Sequence, residues 1–211
     1  MTAPGVPHAE PPVRQARGTR RRAELLDATV RLIARAGVAA VTHRAVAAEA
    51  GVSHRLTTYY FQTKDQMVVE AFRHLAARSV ERTRAAAALI ADAARTIEWR
   101  NALEVAIDAI VDHVLDASNG DPREDASAEL SMVLEIQRHH ELASDYAAWQ
   151  DQVESILVEH AKAMHATNPV QEARLLHASM RGLRMELLAR PDRPTSRSEL
   201  RELVSRLLTS L

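Results

Sequence analysis

Between Val41 and Lys64 the sequence VTHRAVAAEAGVSHRLTTYYFQTK gathers side chains suited to holding a polyanion. Arg44 and Arg55 carry planar guanidinium forks able to pair two-pronged with the O6 and N7 of guanine. The hydroxyls of Thr58 and Tyr60 and the ammonium of Lys64 suit phosphate oxygens, which position a protein without reading base order. Three of the chain's seven aromatic residues fall at positions 59–61. Of these, Phe61 is expected in a core, whereas Tyr59 suits a core place or a backbone contact equally.

The other chemistries that the residue types invite fail on spacing. Ten histidines suggest metal or acid-base work, yet no His-x-x-x-His and no Glu-x-x-His occurs, and His139 and His140 are adjacent, on different helix faces. Glu70/His74 and Glu135/His139 stand four apart, a spacing commoner in surface pairs than in ligand sets. No glycine-rich phosphate loop, nucleophile elbow or dinucleotide fingerprint is present. The expectation is a non-enzyme with no metal and no cofactor.

The elements that hold the cationic stretch are legible. Thr42 is a good N-cap, Val46, Ala47 and Ala50 follow at helical spacing, and Gly51 can take the left-handed conformation of a helix end. Ser53 offers a second N-cap, opening a short helix that closes at Phe61. Two short helices about a tight turn make a helix-turn-helix, whose second helix can lie in a DNA major groove. A preceding helix from Thr19 or Arg20 to Ala36 shows a wide apolar face and stops at Gly37, with Leu56 and Phe61 as the expected plugs of a three-helix core.

Charge divides the same way. Residues 11–64 hold ten Arg or Lys against three acids, whereas residues 65–211 hold 17 against 24, so a net charge of −1 conceals a basic third on an acidic body. One end is thereby fitted to meet phosphate, unless the clustering is chance in an arginine-rich proteome. With 46% hydrophobic but only 3% aromatic residues, six glycines and no alternating β-branched runs, the 211 residues read as all-α. The lack of cysteine fits a cytoplasmic protein. The first 22 residues have no apolar centre of a secretory signal, and apolar runs such as 85–91 are too short to span a membrane.

The run from Arg22 to Phe72 resembles the DNA-binding domain of the TetR family of bacterial repressors. The shared features are a leading helix ending in Ala-Gly, a Thr opening the second helix, Ala-Gly-Val-Ser at the turn, Tyr-Tyr-Phe closing the third helix, and Lys64 starting a fourth. The sequence departs from that family in having Arg55 where glycine is frequent and Thr57-Thr58 where Leu-Tyr is frequent. The resemblance implies DNA contacts by His43 and Arg44 at the start of the second helix, and by His54, Arg55 and Thr58 on the recognition helix. Tyr59 and Tyr60 would lie near phosphates and Lys64 at the backbone.

Three regions follow: a disordered Pro/Arg-rich tail over 1–18, the reader over 19–64, and a helical body over 65–211. Body helices are expected at about 66–94, 97–117, 123–139, 141–166, 170–189 and 196–211, with SNGDP (118–122) as the clearest loop. A pocket between helices, lined by Trp99, Leu103, Met132, Ile136, Trp149, Val153, His177 and Met180, would suit a largely apolar effector. In the resembled family the last two helices pair with their copies, which implies a dimer interface through Ala178, Gly182, Leu183, Leu187, Leu203 and Leu207. A two-fold dimer is also what two readers spaced by one turn of a palindromic double-stranded operator require. The expected function is a homodimeric repressor released by a small molecule. The alternatives are an interaction protein that no longer binds DNA and a helical-bundle metalloenzyme.

Overall fold

The computed structural model describes residues 12–115, 122–136, 140–189 and 195–210. Among them the chain forms α1 (Pro12–Ala36), α2 (His43–Glu49), α3 (His54–Tyr60), α4 (Lys64–Thr96), α5 (Trp99–Leu115), α6 (Pro122–Val133), α7 (His140–Ala163), α8 (Pro169–Ala189) and α9 (Arg197–Ser210), with a single 3-10 turn at Val38–Ala40. There is no strand among the described residues, as the composition predicts.

The element ends follow local chemistry. Gly51 sits at φ +65°, and the N–H groups of Gly51 and Val52 donate to the carbonyls of Ala48 and Ala47, closing α2 in a Schellman motif. Thr42 caps α2 by accepting from the Ala45 amide at 3.1 Å, and Thr63 caps α4 by accepting from Gln66 at 3.0 Å. Ser53 occupies the N-cap of α3 but makes no side-chain cap bond.

Two apolar cores result. One runs unbroken from the reader into the body through Leu25, Ile33, Val46, Phe61, Met67, Phe72, Met132 and Trp149. The other lies wholly in the body, joining α4, α5, α8 and α9 through Ile90, Ile107, Val111, Met180, Leu187, Leu200 and Val204. Helix α4 belongs to both and, at 33 residues, is roughly 50 Å long. It is the strut between them.

Several boundaries differ from expectation. α1 starts at Pro12 rather than Thr19 or Arg20, so 12–18 is helical instead of disordered. Proline is favourable in a first turn, where its missing N–H costs nothing, and the Tyr60 hydroxyl ties down the second turn through the Gly18 carbonyl. α6 stops at Val133, short of His139. The reader is plugged by Phe61, but its partner in the core of α3 is Thr57; Leu56 is only half-buried. Thr57 can enter an apolar core because its hydroxyl donates to carbonyl oxygen, with His54 at 2.7 Å and His43 at 3.1 Å. Residues 1–11, the 118–121 part of the expected loop and the 190–194 separator lie outside the described residues.

Candidate nucleic-acid interface and interior cavity

The reader spends its polar residues in two ways. His43 is half-buried, and its Nε2 donates to the Phe61 carbonyl at 2.9 Å, joining the start of α2 to the end of α3. Tyr60 is half-buried and donates its hydroxyl to Gly18 at 3.3 Å, while Lys64 reaches the Ala39 carbonyl at 3.4 Å. These three predicted contact residues therefore brace the headpiece.

The remaining five face outward. Arg44 on α2 and His54, Arg55, Thr58 and Tyr59 on α3 are exposed, Tyr59 at 79%. Tyr59 thus stands outside the core, its ring edge-on to Tyr60 at 5.1 Å. The result is a short helix with its buried side pinned by Thr57 and a cationic, aromatic outer side. Such a helix can enter a groove without giving up core contacts. Exposed Arg17, Arg20 and Arg21 extend the positive charge along α1, with Arg20 and Arg21 sharing Glu24.

The body contains a cavity of about 390 Å³ between α4, α5, α7 and α8, in the size range of small-molecule sites. Of the residues predicted to line a pocket, Trp99, Leu103 and Met180 do so. Trp149, Val153 and His177 line a separate recess of about 30 Å³ that shares Thr83, His113, Leu157 and Met180 with the cavity. Met132 and Ile136 line neither; Met132 is in the core beneath the reader and Ile136 packs against it. Sequence reasoning missed His113, His160 and the α4 wall (Thr83, Ala86, Ile90). The α4 residues carried no distinguishing signal, because alanine dominates that helix. Among the described residues no group of three or more metal-type side chains converges.

Glu70 and His74 do not pair with each other: Glu70 takes Arg22, and His74 donates to Asp27 at 2.8 Å.

His113 gives the body a pH signature. Burial, then the nearby guanidinium groups of Arg184 and Arg82, push its pKa down to about 3. The folded state therefore holds it neutral, whereas the unfolded chain protonates it near 6.5. As pH falls from 6.5 toward 3 the unfolded state binds the extra proton, and stability drops by up to ~1.4 kcal/mol per pH unit. His160 and His177, both pushed down by burial, add to the slope. Urea midpoints at pH 7 and pH 5 check this: the wild-type difference should shrink in His113→Gln, and an unchanged difference would contradict it.

The predicted interface residues divide. On α8, Ala178 and Gly182 are exposed, and a Cβ added at Gly182 would meet nothing. Leu203 on α9 is exposed, while Leu183 and Leu207 are half-buried. Leu187 is buried in the body core and is corrected to an internal role, because its position on α8 turns it toward α5 and α9. The exposed stripe of α8 instead continues through Leu175 and Met185.

Comparison with known proteins agrees with the all-helical fold and its helix-turn-helix. Residues 25–71 match the family model described as bacterial regulatory proteins, tetR family, and residues 103–210 match that of the tetracyclin repressor-like C-terminal domain. The chain is 46% identical over 55 residues to the HTH-type transcriptional regulator BetI of Brucella anthropi, a match spanning 26% of this chain and 28% of that one. A regulator from Mesorhizobium loti superposes with a TM-score of 0.74 at 14% identity, covering 92% of this chain and 96% of the other. A family member from Streptomyces coelicolor does so with a TM-score of 0.64 at 28% identity, covering 89% and 97%.

Proposed function

Since the chain belongs to the TetR family of bacterial transcriptional regulators, a family of DNA-binding proteins, we propose that it is a homodimeric repressor released from its operator by a small molecule. The observation that carries the reading is the exposed set Arg44, His54, Arg55, Thr58 and Tyr59 on a helix-turn-helix braced from behind. Arg44 and Arg55 read guanine edges; Thr58 and Tyr59 take phosphates. His43, Tyr60 and Lys64 support the reader from within its own hydrogen bonds.

Two readers need a two-fold axis, and the exposed apolar stripe of Leu175, Ala178, Gly182 and Met185 on α8, with Leu203 on α9, is where a second copy packs. Gly182 and Ala178 let the helices approach closely. The effector occupies the 390 Å³ cavity, whose wall includes α4, the helix that also enters the reader core. An effector that binds the released state more tightly, by typically ~1–3 kcal/mol, shifts the dimer off DNA.

Binding-site selection with the purified protein supplies the operator, and a salt titration then tests the reading. Affinity should fall steeply and linearly on a logarithmic salt scale as counterions are released. Arg55→Ala should lose about 1–3 kcal/mol and relax preference at one base pair of each half-site. Salt-independent affinity, with Arg55→Ala unchanged, would point to a helical interaction protein without a DNA target.

A further inference from the structure

The 390 Å³ cavity has a direction. α4 and α5 run antiparallel along it, so Ala94 and Trp99 mark one end while Thr83 and His113 mark the other. Thr83 and Ala94 are eleven positions apart, about 16 Å of helix. The end at Trp99 is the mouth, since this residue is 69% exposed yet lines the cavity. At the closed end the small recess begins, and there the chemistry changes.

Two donors in the recess wall lack an acceptor. Trp149 is 5% exposed and Arg184 9% exposed, and neither the indole Nε1–H nor the guanidinium Nε–H has a hydrogen-bond partner. Each unmet buried donor costs on the order of 1–3 kcal/mol. The indole is not free to turn away, because Phe72 at 5.9 Å and Tyr146 at 5.6 Å hold it edge-on. Arg184 has Glu129, which also lines the recess, near its Nη1 at 3.4 Å, while its buried Nε has no partner. Indole and guanidinium can only donate, so whatever satisfies them accepts. At about 30 Å³ the recess is far smaller than the 390 Å³ cavity, a place for a small polar group rather than for the body of a ligand.

Resting on the effector reading above, we propose that the molecule this protein senses is a linear amphipathic acid. Its hydrocarbon fills the cavity from Trp99 inward, and its carboxylate receives the Trp149 Nε1–H and Arg184 Nε–H bonds. A carboxylate suits the place better than a neutral oxygen because a bond to a guanidinium is charge-assisted. Arginine is a signal in the sequence as well, standing in the stripe Met180, Leu183, Arg184, Leu187 that is otherwise apolar.

The two tryptophans make the test direct, one at each end of the site. The probes are decanoate, 1-decanol and decyltrimethylammonium, titrated by calorimetry against the full chain, and by emission against Trp99→Phe, which leaves Trp149 as the reporter. Decanoate should bind at least about tenfold more tightly than decanol and shift Trp149 emission, with the ammonium weakest. Trp149→Phe keeps the ring and removes the donor, and it should lower decanoate affinity several-fold while leaving decanol unchanged. Arg184→Met paired with Glu129→Gln, which avoids a stranded carboxylate, should erase the preference for the acid. Equal binding of acid and alcohol, insensitive to both variants, would overturn the headgroup assignment and keep the cavity as an effector site. Failure of all three probes to bind or to move either tryptophan would overturn the headgroup assignment and the effector reading together.

Discussion

Phe61→Ala should cost about 3–5 kcal/mol and abolish operator binding. Phe61 is fully buried at the point where α3 ends and the chain turns into α4, within the core that also holds Leu25, Ile33, Val46 and Met67. Its carbonyl is also the acceptor for His43 and its ring lies under the Arg22 guanidinium at 5.7 Å, so the cavity left by alanine loosens three attachments of the reader together. The body core contains no reader residue, and its helices should persist. Chemical denaturation followed by circular dichroism should accordingly lose the single transition and show an early one for the headpiece. A variant that melts with the wild type and retains DNA affinity would show that Phe61 is dispensable.

Asp125→Ala should be nearly as damaging, at about 3 kcal/mol, the low end of the range for breaking a buried ion pair. The buried Asp125 carboxylate accepts from Arg78 at 2.6 Å and Arg82 at 3.2 Å. The other arm of Arg78 reaches Asp27 on α1 at 2.7 Å, where His74 also donates. Alanine removes the acceptor that joins α6 to α4 and leaves guanidinium groups poorly compensated; their partial exposure is why the low end applies. Asp125→Asn keeps an acceptor oxygen and should lose less. Glu81→Ala, which removes an exposed partner of Arg84, should change the urea midpoint hardly at all. Equal midpoints for Asp125→Ala and Glu81→Ala would refute the distinction.

What could be read from the sequence was whatever local rules decide. The Thr42 cap, the Gly51 turn and the burial of Phe61 each follow from residue type and spacing over a few positions. The reader's outward residues were legible for the same reason, because Arg44, Arg55 and Thr58 lie opposite an apolar stripe. What depended on partners distant in sequence was hidden. Nothing local in the sequence shows that His43 and Tyr60 reach the Phe61 and Gly18 carbonyls. Thr57 takes the core place expected of Leu56 because its hydroxyl finds two carbonyls there. Trp149 and Trp99 read as one pocket lining but line the small recess and the main cavity respectively, and the position of Met132 depends on where α6 docks, which no periodicity in α6 records.

The early start of α1 alters the thermodynamics of approach to DNA. An arginine-bearing coil would have to surrender backbone freedom on docking, at roughly 1–2 kcal/mol for each residue immobilised. Here the seven residues from Pro12 to Gly18 are already wound, and Tyr60 tethers the last of them. That conformational entropy is given up once, during folding. On the proposed reading, Arg17, Arg20 and Arg21 therefore approach a duplex from backbone that is already ordered, and their attraction is not diminished by winding it.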